Sequence, residues 1–186
     1  PEGLAALAAV IGQVKSMIKV PFGVNYLWDP LATVALAVAT EANFAREIYT
    51  GLYASDMGLW APDCAGAARL RSTNGRLDLQ MLFNTNAEFA TSLDDRPLDI
   101  KAKSVVFSSK ADVICVSGLM TGMSVDLVEL RKVRESIPET PLLANTGVTI
   151  DNVEEIFSFT DGCVIGSHLK HQGDTWNSVD PTRVRK

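Results

Sequence analysis

Two short turns carry the sharpest chemical signal in this sequence. Asn145-Thr146-Gly147 follows the apolar run Leu142–Ala144, and Gly166-Ser167 follows Cys163–Ile165. A strand ending in glycine, a helix-length segment and a second such strand form a βαβ unit, whose two turns lie side by side at one end of a parallel sheet. Adjacent turns of this kind aim backbone N–H groups at an anion, and the hydroxyls of Thr146 and Ser167 add donors. The unit predicts a phosphate cradle made of Thr146, Gly147, Gly166 and Ser167. A barrel cradle ordinarily also uses a short helix after the last strand. That place holds HLKHQGDTW (168–176), which lacks a helical pattern, so Lys170 is expected to supply the positive charge. The plainer alternative is that each glycine only closes a tight turn.

Other polar residues gather where strands end. Arg46 and Glu47 interrupt an apolar run, and strand alternation sends them to opposite faces. Arg46 is in phase with Phe44 and Ile48 and is expected inside, where a charge needs a partner; a functional role competes there with an internal ion pair. Among carboxylates just past strand ends, Asp29, Asp56 and Glu88, the expected acid/base group is Asp56. It sits in YASDMGLW, a loop whose aromatics are expected to form a lid. Asp56, Arg46 and Asn84 are the predicted catalytic set. Asn25, Asn84, Asn86 and Asn145 make a ring of amides suited to polyhydroxylated ligands, and Asp29 and Ser117 join Asn25, Asn86 and Asn145 as predicted substrate contacts. Asn also serves turns, and Asp29 also reads as a helix cap. His168 and His171 are the only histidines, spaced three apart; a metal site would need carboxylates converging on them, and neither a metal nor a cofactor is expected. There is no G-x-S-x-G nucleophile motif. No lysine sits at an inner strand end to form a Schiff base, Lys170 being the nearest.

The elements that must position these residues alternate regularly. Strands are predicted at Val20–Leu27, Phe44–Tyr49, Asp78–Phe83, Asp112–Ser117, Leu142–Ala144 and Cys163–Ile165. Helices are predicted before the first (residues 1–20), over Leu31–Glu41, Pro62–Arg71, Pro97–Ser108 and Val125–Ile137, between the last two strands, and over Asp180–Arg185. Such alternation means an α/β fold with a parallel sheet. In a doubly wound sheet only the strands beside the switch point need polar ends, whereas in a barrel all strands feed one mouth. The even spread of polar ends predicts a (βα)8 TIM-type barrel. Such a barrel needs eight strands and about 250 residues, so two strands and roughly 60–70 residues are expected to be missing from the N-terminal side. The reading is one partial-barrel domain over residues 1–186, its six βα units corresponding to strands three to eight.

The totals narrow the class. Of 186 residues, 47% are hydrophobic and 21% charged, as in ordinary globular proteins. A net charge of −5 without a basic cluster argues against nucleic acid. No run reaches the ~18–20 apolar residues of a membrane span. Cys64, Cys115 and Cys163 form no CxxC pair and read as free thiols of a cytoplasmic protein. The strands at Val20–Leu27 and Cys163–Ile165 would be open edges, covered by the missing strands or by a second copy.

The runs PFGVNYLWDPLA, AREIYTGLYASDMGLW, DVICVSGLMTG, PLLANTGVTIDNVEEI, DGCVIGSHLK and VDPTRVRK resemble the BtpA family, within it the SgcQ-like branch found beside sugar-metabolism genes. The resemblance covers nearly the whole chain in order. It implies a TIM barrel of the ribulose-phosphate-binding type, with two N-terminal strands ahead of the first helix here. Many members have an Asp-x-His-x-Lys-His-like run on the fifth strand; this chain has Phe83-Asn84-Thr85-Asn86-Ala87-Glu88, without His or Lys. Residues and resemblance together favour a barrel enzyme binding a phosphorylated sugar or nucleoside-like molecule. Isomerisation, aldol-type cleavage or glycosidic cleavage are the reactions considered, and a phosphoribosylanthranilate-isomerase-like activity is one alternative. A non-catalytic assembly factor, as the photosystem I biogenesis protein behind the family name suggests, is the other.

Overall fold

The computed structural model describes residues 1–185. Its main sheet has six parallel strands: β1 (Gly23–Val24), β2 (Phe44–Glu47), β5 (Gln80–Asn84), β7 (Val113–Val116), β8 (Leu142–Ala144) and β9 (Gly162–Cys163). They lie in that order, so spatial order equals chain order. A doubly wound sheet reverses direction at a switch point; this one winds a single way, as a barrel does. Among the described residues β1 and β9 each pair on one side only, and the sheet is an open half-barrel rather than a closed ring.

Between these strands run α1 (Glu2–Val14), α2 (Pro30–Thr40), α3 (Cys64–Thr73), α4 (Leu98–Ser104), α5 (Leu127–Ser136) and α6 (Val153–Phe157), with α7 (Pro181–Val184) last. Their starts follow capping chemistry. Asp29, Asp63, Asp126 and Asp180 each accept a first-turn N–H, and Pro30 and Pro181 occupy positions where no N–H is needed. Register and alternation place Ala45, Met81, Phe83, Ile114, Val116, Leu142 and Ala144 on one face, in a single core with Val34, Ala37, Ala67, Ala102, Leu130, Val133 and Ile156 of the helices. Phe44, Arg46, Leu82, Asn84, Val113, Cys115 and Leu143 share the opposite face.

That second face is concave. Arg46 Nη1 on β2 donates to Asn145 Oδ1, just past β8, at 2.6 Å. The two residues are three strands apart, about 14 Å on a flat sheet, and side chains stand roughly perpendicular to it. The bond forms because the sheet curls.

Several expectations change. The loop over residues 52–60 is a hairpin, β3 (Tyr53–Ser55) and β4 (Gly58–Trp60), which joins β6 (Ala90–Ser92) in a separate antiparallel sheet. A turn after Ser55, whose hydroxyl accepts the Met57 N–H at 3.1 Å, folds it back. The outer strands are shorter than predicted, because β1 and β9 have one neighbour and pair at only two positions each. The first helix passes into a 3-10 turn at Lys15–Met17 and stops there, and α4 widens into a π-turn at Val105–Ser109.

Candidate functional site

The C-terminal ends of the parallel strands surround a cavity of about 410 Å³. Asn25 and Trp28 enter it after β1, and Arg46 and Ile48 from β2 and its exit. Asn84 closes β5, followed by Glu88 and Phe89. Thr121 and Gly122 reach in from the β7–α5 loop, Asn145 to Thr149 from the β8 exit, and Val164, Gly166, Ser167 and His168 from the β9 exit.

Arg46 is the cavity's cationic side chain of greatest interest. No carboxylate lies within 4.0 Å of its guanidinium among the described residues, so the internal ion pair that competed with a functional role is not formed there. Its side chain makes the one bond to Asn145, while a guanidinium carries five N–H donors. Asn145 is itself held, donating Nδ2–H to Ser117 Oγ at 2.9 Å. The cation is positioned yet retains donors.

The two glycine turns differ. Gly147 has φ +65°, and a Cβ there would lie 2.3 Å from the Met123 carbonyl carbon and the Ser124 nitrogen. Its lack of a side chain is what lets the β7–α5 loop cross it. Thr146 Oγ1 accepts the Gly118 N–H at 2.5 Å, pinning the start of that loop. At Gly166 an added Cβ would meet nothing within 4 Å. Ser167 shares a 2.6 Å hydroxyl–hydroxyl bond with Thr175. Lys170 lies apart from the cavity wall, and its ammonium donates to the Thr175 carbonyl.

The structure therefore brings together Asn25, Arg46, Asn84, Asn145, Thr146, Gly147, Gly166 and Ser167. It leaves five predicted residues off the wall. Asp56 is exposed in the β3–β4 turn. Asp29 caps α2, accepting the Ala32 N–H at 2.8 Å. Asn86 and Ser117 tie the β5 and β7 exits, Asn86 Nδ2 donating to the Ser117 carbonyl at 2.7 Å and the Ser117 N–H to Asn86 Oδ1 at 2.9 Å. Lys170 is the fifth.

Four residues enter from outside the predicted site, among them Glu88, weighed in sequence as a strand-end carboxylate and passed over for Asp56. Glu88 is the carboxylate on the wall, accepting from Thr121 Oγ1 at 2.8 Å, and His168 lies near the β9 exit. Trp28 stacks on Trp60, with centroids 5.1 Å apart and planes 21° from parallel. Glu47, 1% exposed, accepts from the Trp28 N–H at 3.2 Å, the Ile48 N–H at 3.0 Å and Asn25 Nδ2. Burial pushes its carboxyl up to about 7, against the pull of those donors. Its place in an apolar run was visible in sequence; the donors that enclose it were not. The Asn84 Oδ1 and Trp28 Nε1 atoms are shielded and lack a hydrogen-bond partner among the described residues. Among those residues no three His, Cys, Asp or Glu side chains gather as a metal site, and no helix is long and apolar enough to cross a membrane.

Order of strands and place of the cavity together make this a singly wound half-barrel with a partly polar pocket at its strand C-termini. The chain belongs to the BtpA family, whose family model matches residues 1–186. It is 47% identical to the sgc region protein SgcQ of Escherichia coli K12 over 184 residues, which are 99% of this chain and 69% of that protein. It is 29% identical to TK2179 of Thermococcus kodakarensis, across 98% of this chain and 69% of the relative. With the photosystem I biogenesis protein BtpA of Synechocystis the identity is 26%, across 99% and 64%.

Proposed function

We propose that this chain is one barrel-type domain whose cavity binds a phosphorylated small metabolite, a sugar phosphate or nucleoside-like ester, and acts on it by acid/base chemistry. The observation that carries the proposal is Arg46: a guanidinium without a carboxylate partner among the described residues, held by Asn145 in a cavity that Gly166 and Ser167 also line. A lone cation on a partly buried strand is costly, and an anion supplies what it lacks. Gly166 supports the same reading, since the space beside it is open where Gly147's is filled. The acid/base work falls to Glu88 and His168 on the cavity wall rather than to Asp56. Isomerisation, carbon–carbon cleavage and glycosidic cleavage all remain within reach of such a pair, and sugar metabolism in a reducing cytoplasm is the setting that fits. The single-sided edges β1 and β9 also make a second copy of the chain a partner to test by sedimentation.

The test is a thermal-shift series on the intact protein with inorganic phosphate and a panel of sugar phosphates and nucleotides. A true ligand at a hundredfold excess over its Kd should raise the Tm by about 5–10 °C. Arg46→Gln should abolish that rise. A panel without any shift, or a shift that survives Arg46→Gln, rejects the proposal. The competing reading, a non-catalytic assembly factor, draws on the name of the Synechocystis relative and gains if turnover stays absent with a ligand that binds.

A further inference from the structure

Five non-glycine residues have positive φ: Trp28 (65°), Glu41 (57°), Phe89 (60°), Lys110 (57°) and Gln172 (59°). Glu41 and Lys110 end helical segments, where the left-handed conformation is habitual, and Gln172 lies in a tight turn. Trp28 and Phe89 also lie in turns, Trp28 third in one closed by the Asp29 N–H to the Tyr26 carbonyl at 3.1 Å, but positive φ in a turn suits Gly or Asn, not a bulky aromatic. Bulky side chains resist this backbone region, and both of these line the same cavity. Strain that clusters in this way marks a site whose surroundings enforce it.

The enforcement is visible at Trp28. Its N–H is held by the Glu47 carboxylate, and its ring lies against Trp60, which in turn meets Tyr53 at 5.8 Å. Phe89 stays 49% exposed, so burial does not account for its strained backbone. Leu27 and Ile48 extend the same apolar wall. A sugar hydroxyl against that wall would lose hydrogen bonds to water without replacement, whereas a flat ring would gain contact and stacking. From this placement we infer that Trp28 and Phe89 receive a planar ring of the ligand. The preferred ligand class is then a phosphate ester bearing an aromatic or heteroaromatic ring, not a bare sugar phosphate. The inference rests on the phosphate reading of the cavity.

Calorimetric titration of the intact protein with ribose 5-phosphate, adenosine and uridine 5′-monophosphates, and the two unphosphorylated nucleosides separates the two ideas. At least one monophosphate should bind roughly ten- to a hundredfold more tightly than ribose 5-phosphate, the usual worth of base–aromatic stacking. Phe89→Gly removes the ring while relieving the backbone, because glycine adopts positive φ freely, so the fold should persist. In that variant the advantage should fall toward one with ribose 5-phosphate affinity unchanged, and Trp28→Gly should act in the same direction. Equal binding of monophosphate and ribose 5-phosphate by the unaltered protein overturns the inference and leaves the phosphate reading standing. So does an advantage that survives both substitutions. Nucleosides that bind as tightly as their monophosphates overturn the phosphate reading and leave the ring site. Absence of binding by every probe overturns both.

Discussion

A carboxylate enclosed in protein tends to keep its proton, and Glu47 is buried, with Asn25, Trp28 and Ile48 donating to it. Its carboxyl titrates near 7 in the folded chain against an ordinary value of 4.5, so between those limits the folded state holds the proton and the unfolded state does not. Stability from this group is therefore greatest below about pH 4.5 and falls as pH rises to 7, by roughly 3 kcal/mol at most. Urea melts at pH 5 and pH 8 should show Glu47→Gln flattening that dependence relative to the unaltered protein; an identical slope in both would remove Glu47 as its source. Cys115 needs no such care: fully buried, its thiol is pushed up to about 12 and stays inert. At this scale alternation was a good guide, since it put Arg46 on the cavity face. What it missed were residues whose role depends on partners far along the chain. Asp56 looked like a strand-end carboxylate because the hairpin that carries it away from the mouth was unseen, and Phe89 offered no signal, since a left-handed aromatic cannot be read from neighbours in sequence.

The β7–α5 loop shows how a connection, not a strand, shapes the mouth. It starts with Gly118 bonded to Thr146, crosses Gly147, and sends Thr121 to Glu88. Ser124 and Asn152 tie its far end, Asn152 Nδ2 donating to Ser124 Oγ at 2.8 Å and to the Gly147 carbonyl at 2.9 Å. Gly147→Ala meets both a left-handed backbone and the loop's main chain, and should cost about 1–3 kcal/mol. Gly166→Ala meets open space and should change stability by about 0.5 kcal/mol or less, while weakening any anion seated there. Chemical denaturation of the two variants checks the contrast; equal losses would mean the β9 exit is as tightly packed as the β8 exit. Helix starts were legible from Asp29 and Asp180 because a cap is local chemistry. The small sheet was not, since Tyr53–Ser55 finds its outer partner at Ala90–Ser92, across α3 and β5.

The whole sheet has a gradient of protection written into its order. Strands β5 and β7 are flanked on both sides, while among the described residues β1 and β9 each pair on one side only. Amide exchange should be slowest at Met81–Phe83 and Ile114–Val116 and at least about a hundredfold faster at Gly23–Val24 and Gly162–Cys163. Equal protection at the edges would reveal a pairing partner in solution. The single winding was legible because every strand ended in polar residues, and six parallel strands in chain order came from that pattern. Curvature was legible with it, since a barrel is a curled sheet, but the Arg46–Asn145 bond across it was not, because its partners are 99 residues apart. That crossing has a mechanical consequence. The Arg46–Asn145 bond spans the concave face like a string across a bow. Because the bond exists only while the sheet is curled, the separation of Arg46 and Asn145 gauges the radius of the half-barrel, and flattening the sheet would part them.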